Sequence, residues 1–81
     1  MDIEDIRDGV LNILKELHED IDFEAEDKMV DDKILDSFDL VTLVTELGDE
    51  FDVEITAKDF VAENFNSVDA ISEMIERLIA E

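Results

Sequence analysis

Three stretches of the chain repeat apolar residues at helical spacing. From about Asp2 to Leu17, the residues Ile3, Ile6, Val10, Ile13, Leu14 and Leu17 form a stripe about 100° wide, the width of a core-facing helix edge. Asp2, Glu4 and Asp5 fall in its first turn, where the helix dipole favours negative charge. From about Ser37 to Phe51, the residues Leu40, Val41, Leu43, Val44, Leu47 and Phe51 cover a broader arc of about 160°, which predicts a more deeply buried helix. A third stretch follows Ser67, an N-cap residue type, and places Val68, Ile71, Ile75, Leu78 and Ile79 on one side.

Between the second and third stretches, Thr56-Ala57-Lys58-Asp59 has the form of a capping box with Asp in place of Glu or Gln. It predicts one short helical turn ending near Val61 or Ala62. The segment from His18 to Asp36 is long for a connection between bundle helices, and ordered loops of that length are often functional. The expected fold is all-α: a four-helix bundle of three longer helices, one short helix and a long first loop. With 81 residues, no proline and two glycines, the chain reads as a single domain, 1–81, without a flexible linker or a Gly-rich phosphate loop. Phe23, Phe51, Phe60 and Phe65 are expected in the core, with Met29 and Met74 filling gaps.

Charge changes the picture of partners. Twenty-six acidic against six basic residues give a net charge of −20, a surface that repels nucleic acid and anionic membranes and attracts basic protein surfaces and cations. Disorder is rejected because 46% of residues are hydrophobic and recur periodically. No run approaches the length of a membrane span. The acidic start, Met1-Asp2-Ile3-Glu4-Asp5, lacks the basic end of a signal peptide. A cytoplasmic protein is the expectation.

The material for catalysis is thin. The chain has no cysteine and one histidine, His18, expected to be exposed at the end of the first helix, where it complements the dipole. No catalytic residue and no metal ligand is assigned. Asp20, Asp22, Glu24, Glu26 and Asp31 do occupy positions one, three, five, seven and twelve of an EF-hand-length loop. Ala25 stands where that loop needs glycine, however, and position twelve lacks glutamate.

The informative region is Ile34-Leu35-Asp36-Ser37-Phe38-Asp39-Leu40-Val41, where an apolar pair ends the long loop and Asp-Ser opens the second helix. Leu35 to Asp39 is similar to the Asp-Ser-Leu signature of acyl carrier proteins. The similarity continues through Leu40 to Leu47, Asp49-Glu50-Phe51 and Asp52-Val53-Glu54-Ile55, and chain length, serine position and helix layout match as well. The resemblance implies that Ser37 receives a covalent 4′-phosphopantetheine arm, with Asp36 the motif acid beside it. It implies a carrier of acyl thioesters that performs no chemistry itself, of the kind used in fatty acid biosynthesis. The related D-alanyl or other aminoacyl carriers are the alternative within the family. Ile34-Leu35 replaces the usual small Gly-Ala lead-in, a change the D-alanyl carriers share, and Thr42 and Gly48 stand where many members carry acids. From another class, an acidic calcium-binding or protein-interaction module remains as a rival.

The implied partners are a phosphopantetheinyl transferase, a loading ligase for acyl or aminoacyl groups, and downstream synthases with basic docking surfaces. The carrier itself is expected to be monomeric. No lysine or arginine lies between Ile34 and Ala57. Asp39, Glu46, Asp49 and Glu50 share an arc of about 100° opposite the apolar one, so the second helix is the expected docking surface. Phe38 lies between the two arcs, either partly in the core or as an exposed anchor.

Overall fold

A computed structural model describes residues 2–81. Helix α1 spans Ile3–Leu17, α2 Ser37–Phe51, α3 Ala62–Phe65 and α4 Val68–Ala80, with one 3₁₀ turn at Ala57–Asp59 before α3. No strand occurs among the described residues. Helix α1 packs against both α4 and α2, and the short α3 leans on α4.

The apolar stripes become one core. Ile6, Val10 and Leu14 of α1, Leu43 and Leu47 of α2, and Ile71 and Ile75 of α4 are all fully buried. Gly9 allows α1 and α2 to approach closely: a Cβ there would lie 2.7 Å from Cζ of Phe51. Across the other side of α1, Arg7 Nε donates to Asp69 Oδ1 at 2.8 Å and links α1 to the first turn of α4.

The ends of the helices follow from their caps. Ser67 Oγ accepts the Ala70 amide at 3.0 Å and starts α4, as expected of that residue type. Helix α2 stops at Asp52, which adopts a left-handed conformation (φ 53°, ψ 50°), a conformation Asp tolerates better than most side chains. At the end of α1, His18 turns to an extended backbone (φ −144°, ψ 96°) while its amide donates to the Leu14 carbonyl.

The long loop is tied down by tertiary contacts. Phe23, Met29 and Leu35 insert fully into the core. Asn66, just after α3, clamps the loop: its carbonyl accepts the Met29 amide at 2.9 Å, and its Oδ1 accepts the amides of Val30 and Asp31 at 2.9 and 3.1 Å. The Met29 carbonyl then accepts the amides of Ile34 and Leu35, and Lys33 turns the chain with φ 60°. This anchorage fixes where Asp36 begins α2.

Several expectations are corrected. The predicted short helix is two separate pieces, the 3₁₀ turn and α3. The capping box at Thr56 does not form, because the Thr56 hydroxyl instead meets the Asp59 carboxylate, at 3.3 Å. Asp59 is buried there with Arg77 Nη2 at 3.6 Å. Phe60 is 45% exposed rather than in the core and stacks edge-on against Phe65, centroids 5.6 Å apart. Val41, Ile3 and Ile79, all placed on buried stripes, are exposed. Leu11, outside the predicted stripe of α1, is buried, whereas Met74 fills the core on α4 as expected. The periodic count widened each stripe toward solvent because it cannot see where the neighbouring helix ends.

Candidate functional site

Ser37 is the first residue of α2, and Asp36 is its N-cap. Asp36 Oδ1 accepts the Asp39 amide at 2.9 Å, and Asp39 Oδ2 accepts the Asp36 amide at 3.3 Å. This reciprocal capping box satisfies two of the amides that a helix start leaves unpaired. The cap is therefore Asp36, and the serine side chain is spared that duty.

The chain has three serines, and the other two are committed. Ser67 Oγ caps α4, and buried Ser72 Oγ donates to the Val68 carbonyl at 2.7 Å. Ser37 is exposed, and its Oγ takes part in none of the side-chain hydrogen bonds among the described residues. A hydroxyl so placed is open to a modifying enzyme, and a phosphodiester formed there would sit at the positive end of α2. The residues present thus fit a covalent phosphopantetheine arm: Ser37 would hold it, and the unpaired first-turn amides face the same end of the helix. Asp36 opposes a phosphate charge locally. Such an arm would supply the thiol that this cysteine-free chain lacks.

One turn beyond Ser37, two open apolar depressions meet at Phe60. Val41, Val44, Thr45 and Ile55 line one, while Val30, Leu40, Val61 and Phe65 line the other. Phe38 is 85% exposed, so the structure places it as an exposed apolar residue rather than a core one.

The acidic residues of α2 separate into two groups. Glu46, Asp49 and Glu50 are exposed, and Glu46 and Glu50 border a depression shared with Gly9, Asn12 and Glu16 of α1. Asp39 departs from the expected solvent face. It is half-buried, and its Oδ2 lies 2.7 Å from His18 Nε2. Burial raises the pKa of its carboxyl, but the hydrogen bonds from His18 and from the Asp36 amide outweigh that effect and hold it below the ordinary aspartate value. His18 therefore serves Asp39 across 21 residues as well as ending α1. Sequence spacing carries no signal for that pairing.

The spacing that resembled a calcium loop gathers no ligand set. Asp31 accepts a hydrogen bond from Asn66 Nδ2 at 3.2 Å, and no group of His, Asp and Glu among the described residues is arranged to hold a metal ion. Among the described residues, no helix is long and apolar enough to cross a membrane.

Residues 4–75 match the family described as "Phosphopantetheine attachment site". Curated relatives agree in kind. The D-alanyl carrier protein of Streptococcus mutans is 33% identical over 75 residues, covering 91% of this chain and 95% of that protein. The D-alanyl carrier protein of Streptococcus suis is 31% identical, covering 83% and 86%, and that of Streptococcus sanguinis is 31% identical, covering 91% and 95%. No solved structure gives a significant match. An all-helical fold, a helix that opens on Asp36-Ser37 and a family match over nearly the whole chain lead to one conclusion: the protein belongs to the phosphopantetheine-attachment carrier family, whose members bear a covalent 4′-phosphopantetheine arm.

Proposed function

We propose that Ser37 is the attachment serine and that the loaded group is an amino acid held as a thioester on the arm. The observation that carries the attachment is that Ser37 is exposed at the start of α2 while Ser67 and Ser72 are held by backbone hydrogen bonds. In the modifying step, the Ser37 Oγ–P bond forms and the pyrophosphate P–O bond of coenzyme A breaks. The nucleotide bisphosphate leaves, and the Oγ proton passes to a base of the transferase. Asp36 holds the first turn through the capping box while this occurs.

The aminoacyl cargo is supported by the names of the relatives and by Leu35. That side chain is 2% exposed, so the bulky lead-in to the motif is part of the core, and it is the feature this chain shares with the aminoacyl type. A fatty-acyl carrier is the second reading, favoured by the apolar depressions that begin one turn below Ser37. In either case the protein presents cargo and leaves chemistry to its partners. It acts as a cytoplasmic monomer where coenzyme A and the ligase are found. The docking surface comprises the exposed Phe38 with Glu46, Asp49 and Glu50, and Asp39 contributes from the half-buried edge.

Holo protein, ATP and a panel of ligases that activate either D-alanine or fatty acids separate the two cargoes by intact mass. The expected product is the aminoacyl thioester. Loading by fatty-acid ligases alone would overturn the aminoacyl assignment and leave Ser37 as the carrier residue.

A further inference from the structure

His18 and Asp39 meet at 2.7 Å from opposite sides of the long loop. An ionised carboxylate only accepts hydrogen bonds, so the proton of this contact resides on His18 Nε2. The same Asp39 Oδ2 accepts the Asp36 amide at 3.3 Å, and the Asp39 amide donates back to Asp36 Oδ1 at 2.9 Å. His18 is thus the outer member of a three-residue chain, and the two residues it braces enclose Ser37 and Phe38.

The bond lengths indicate why a brace matters here. The Asp36 amide to Asp39 Oδ2 contact is long for a hydrogen bond, whereas the His18 contact has the short separation of a charge-assisted one. First turns of helices fray readily, and an aspartate side chain released from His18 is free to rotate toward water. His18 is itself held, because its amide donates to the Leu14 carbonyl at 3.0 Å. The end of α1 therefore offers the start of α2 a fixed donor rather than a mobile one.

We propose that His18 is a positioning residue for the attachment serine: by holding Asp39 Oδ2 it keeps the capping box closed and presents Ser37 Oγ on a formed helical turn. This rests on Ser37 being the attachment site. His18 directs its side-chain hydrogen bond to Asp39 rather than to Ser37, so its effect is on geometry at the moment of transfer.

The test compares the full apo chain with His18→Ala and with His18→Gln, which retains an N–H donor. Two quantities are read: amide hydrogen exchange at Asp36, Asp39, Ile71 and Ile75, and kcat and KM for arm transfer from coenzyme A by one transferase. For His18→Ala, exchange at Asp36 and Asp39 should quicken by about threefold or more, with Ile71 and Ile75 unchanged, the pattern of a local opening. Its kcat should fall by about fivefold with KM nearly constant, because a misplaced hydroxyl loses reaction geometry rather than binding. His18→Gln should recover most of both. A wild-type chain that takes the arm and is indifferent to His18→Ala overturns the inference alone. The inference is overturned equally if exchange quickens uniformly through Ile71 and Ile75, since His18 then acts on stability at large. A wild-type chain that takes no arm, yet opens at Asp36 and Asp39 in His18→Ala, overturns the attachment reading and with it any role for His18 in transfer.

Discussion

Asp36 and Asp39 flank Ser37 and serve it differently. Asp36 is exposed and acts as a helix cap, and Asp39 is half-buried between that cap and His18. Because the folded pKa of Asp39 lies below its ordinary value of 3.8, its ionisation favours the folded state. That contribution is complete above the unfolded value and disappears as pH falls through the lower folded value. Asp39→Asn should therefore be less stable than wild type near neutral pH, and should lose less stability between about pH 4 and pH 2. Urea midpoints measured across that range check this. Parallel curves for the two proteins would show that Asp39 does not contribute to acid sensitivity.

At the scale of elements, the extents of α1, α2 and α4 were legible because each has a strong 3.6-residue period and recognisable end signals. The Asp-Ser start of α2 was legible for the same reason. What the pattern concealed is all tertiary. Asn66 clamps residues 29–31, and His18 reaches Asp39 21 residues away. Residue type alone predicts Phe60 inward, but the 3₁₀ turn before it leaves it at the surface. The contact between α1 and α2 at Gly9 is another such case. In a free helix, Gly9→Ala would gain about 1 kcal/mol of helix propensity. Here the added methyl meets the Phe51 ring at 2.7 Å, and overpacking of this kind costs about 1–3 kcal/mol. The expected net result is a loss of about 1 kcal/mol, read as a lower thermal midpoint by roughly 4–8 °C. A midpoint raised by the same amount would mean that Phe51 yields freely and that the helices are not in tight contact there.

For the molecule as a whole, a net charge of −20 in a fold with a Cα radius of gyration of 11.3 Å creates a field that reaches well beyond contact distance at low salt. Glu46, Asp49 and Glu50 concentrate part of that charge on the helix that Ser37 opens. They are exposed, so reversing them to lysine should leave helicity intact. The association rate with a basic partner such as the transferase should fall by about tenfold at low salt. That difference should shrink as the screening length drops from about 30 Å at 0.01 M to about 3 Å at 1 M. Stopped-flow association across a salt series reads both effects. Equal rates for wild type and the triple variant at every salt concentration would return this face to an ordinary solvated surface.

The central claim is that Ser37 carries the arm, and intact mass spectrometry tests it most directly. Wild-type apo protein, coenzyme A, Mg²⁺ and a broad-specificity transferase should yield one added phosphopantetheine and one reactive thiol. Ser37→Ala should gain neither. Because Asp36 and not Ser37 caps α2, this variant should keep wild-type helicity and differ in stability by no more than about 0.5 kcal/mol. An arm that still attaches to Ser37→Ala, or a folded wild-type protein that several transferases leave unmodified, would contradict the account.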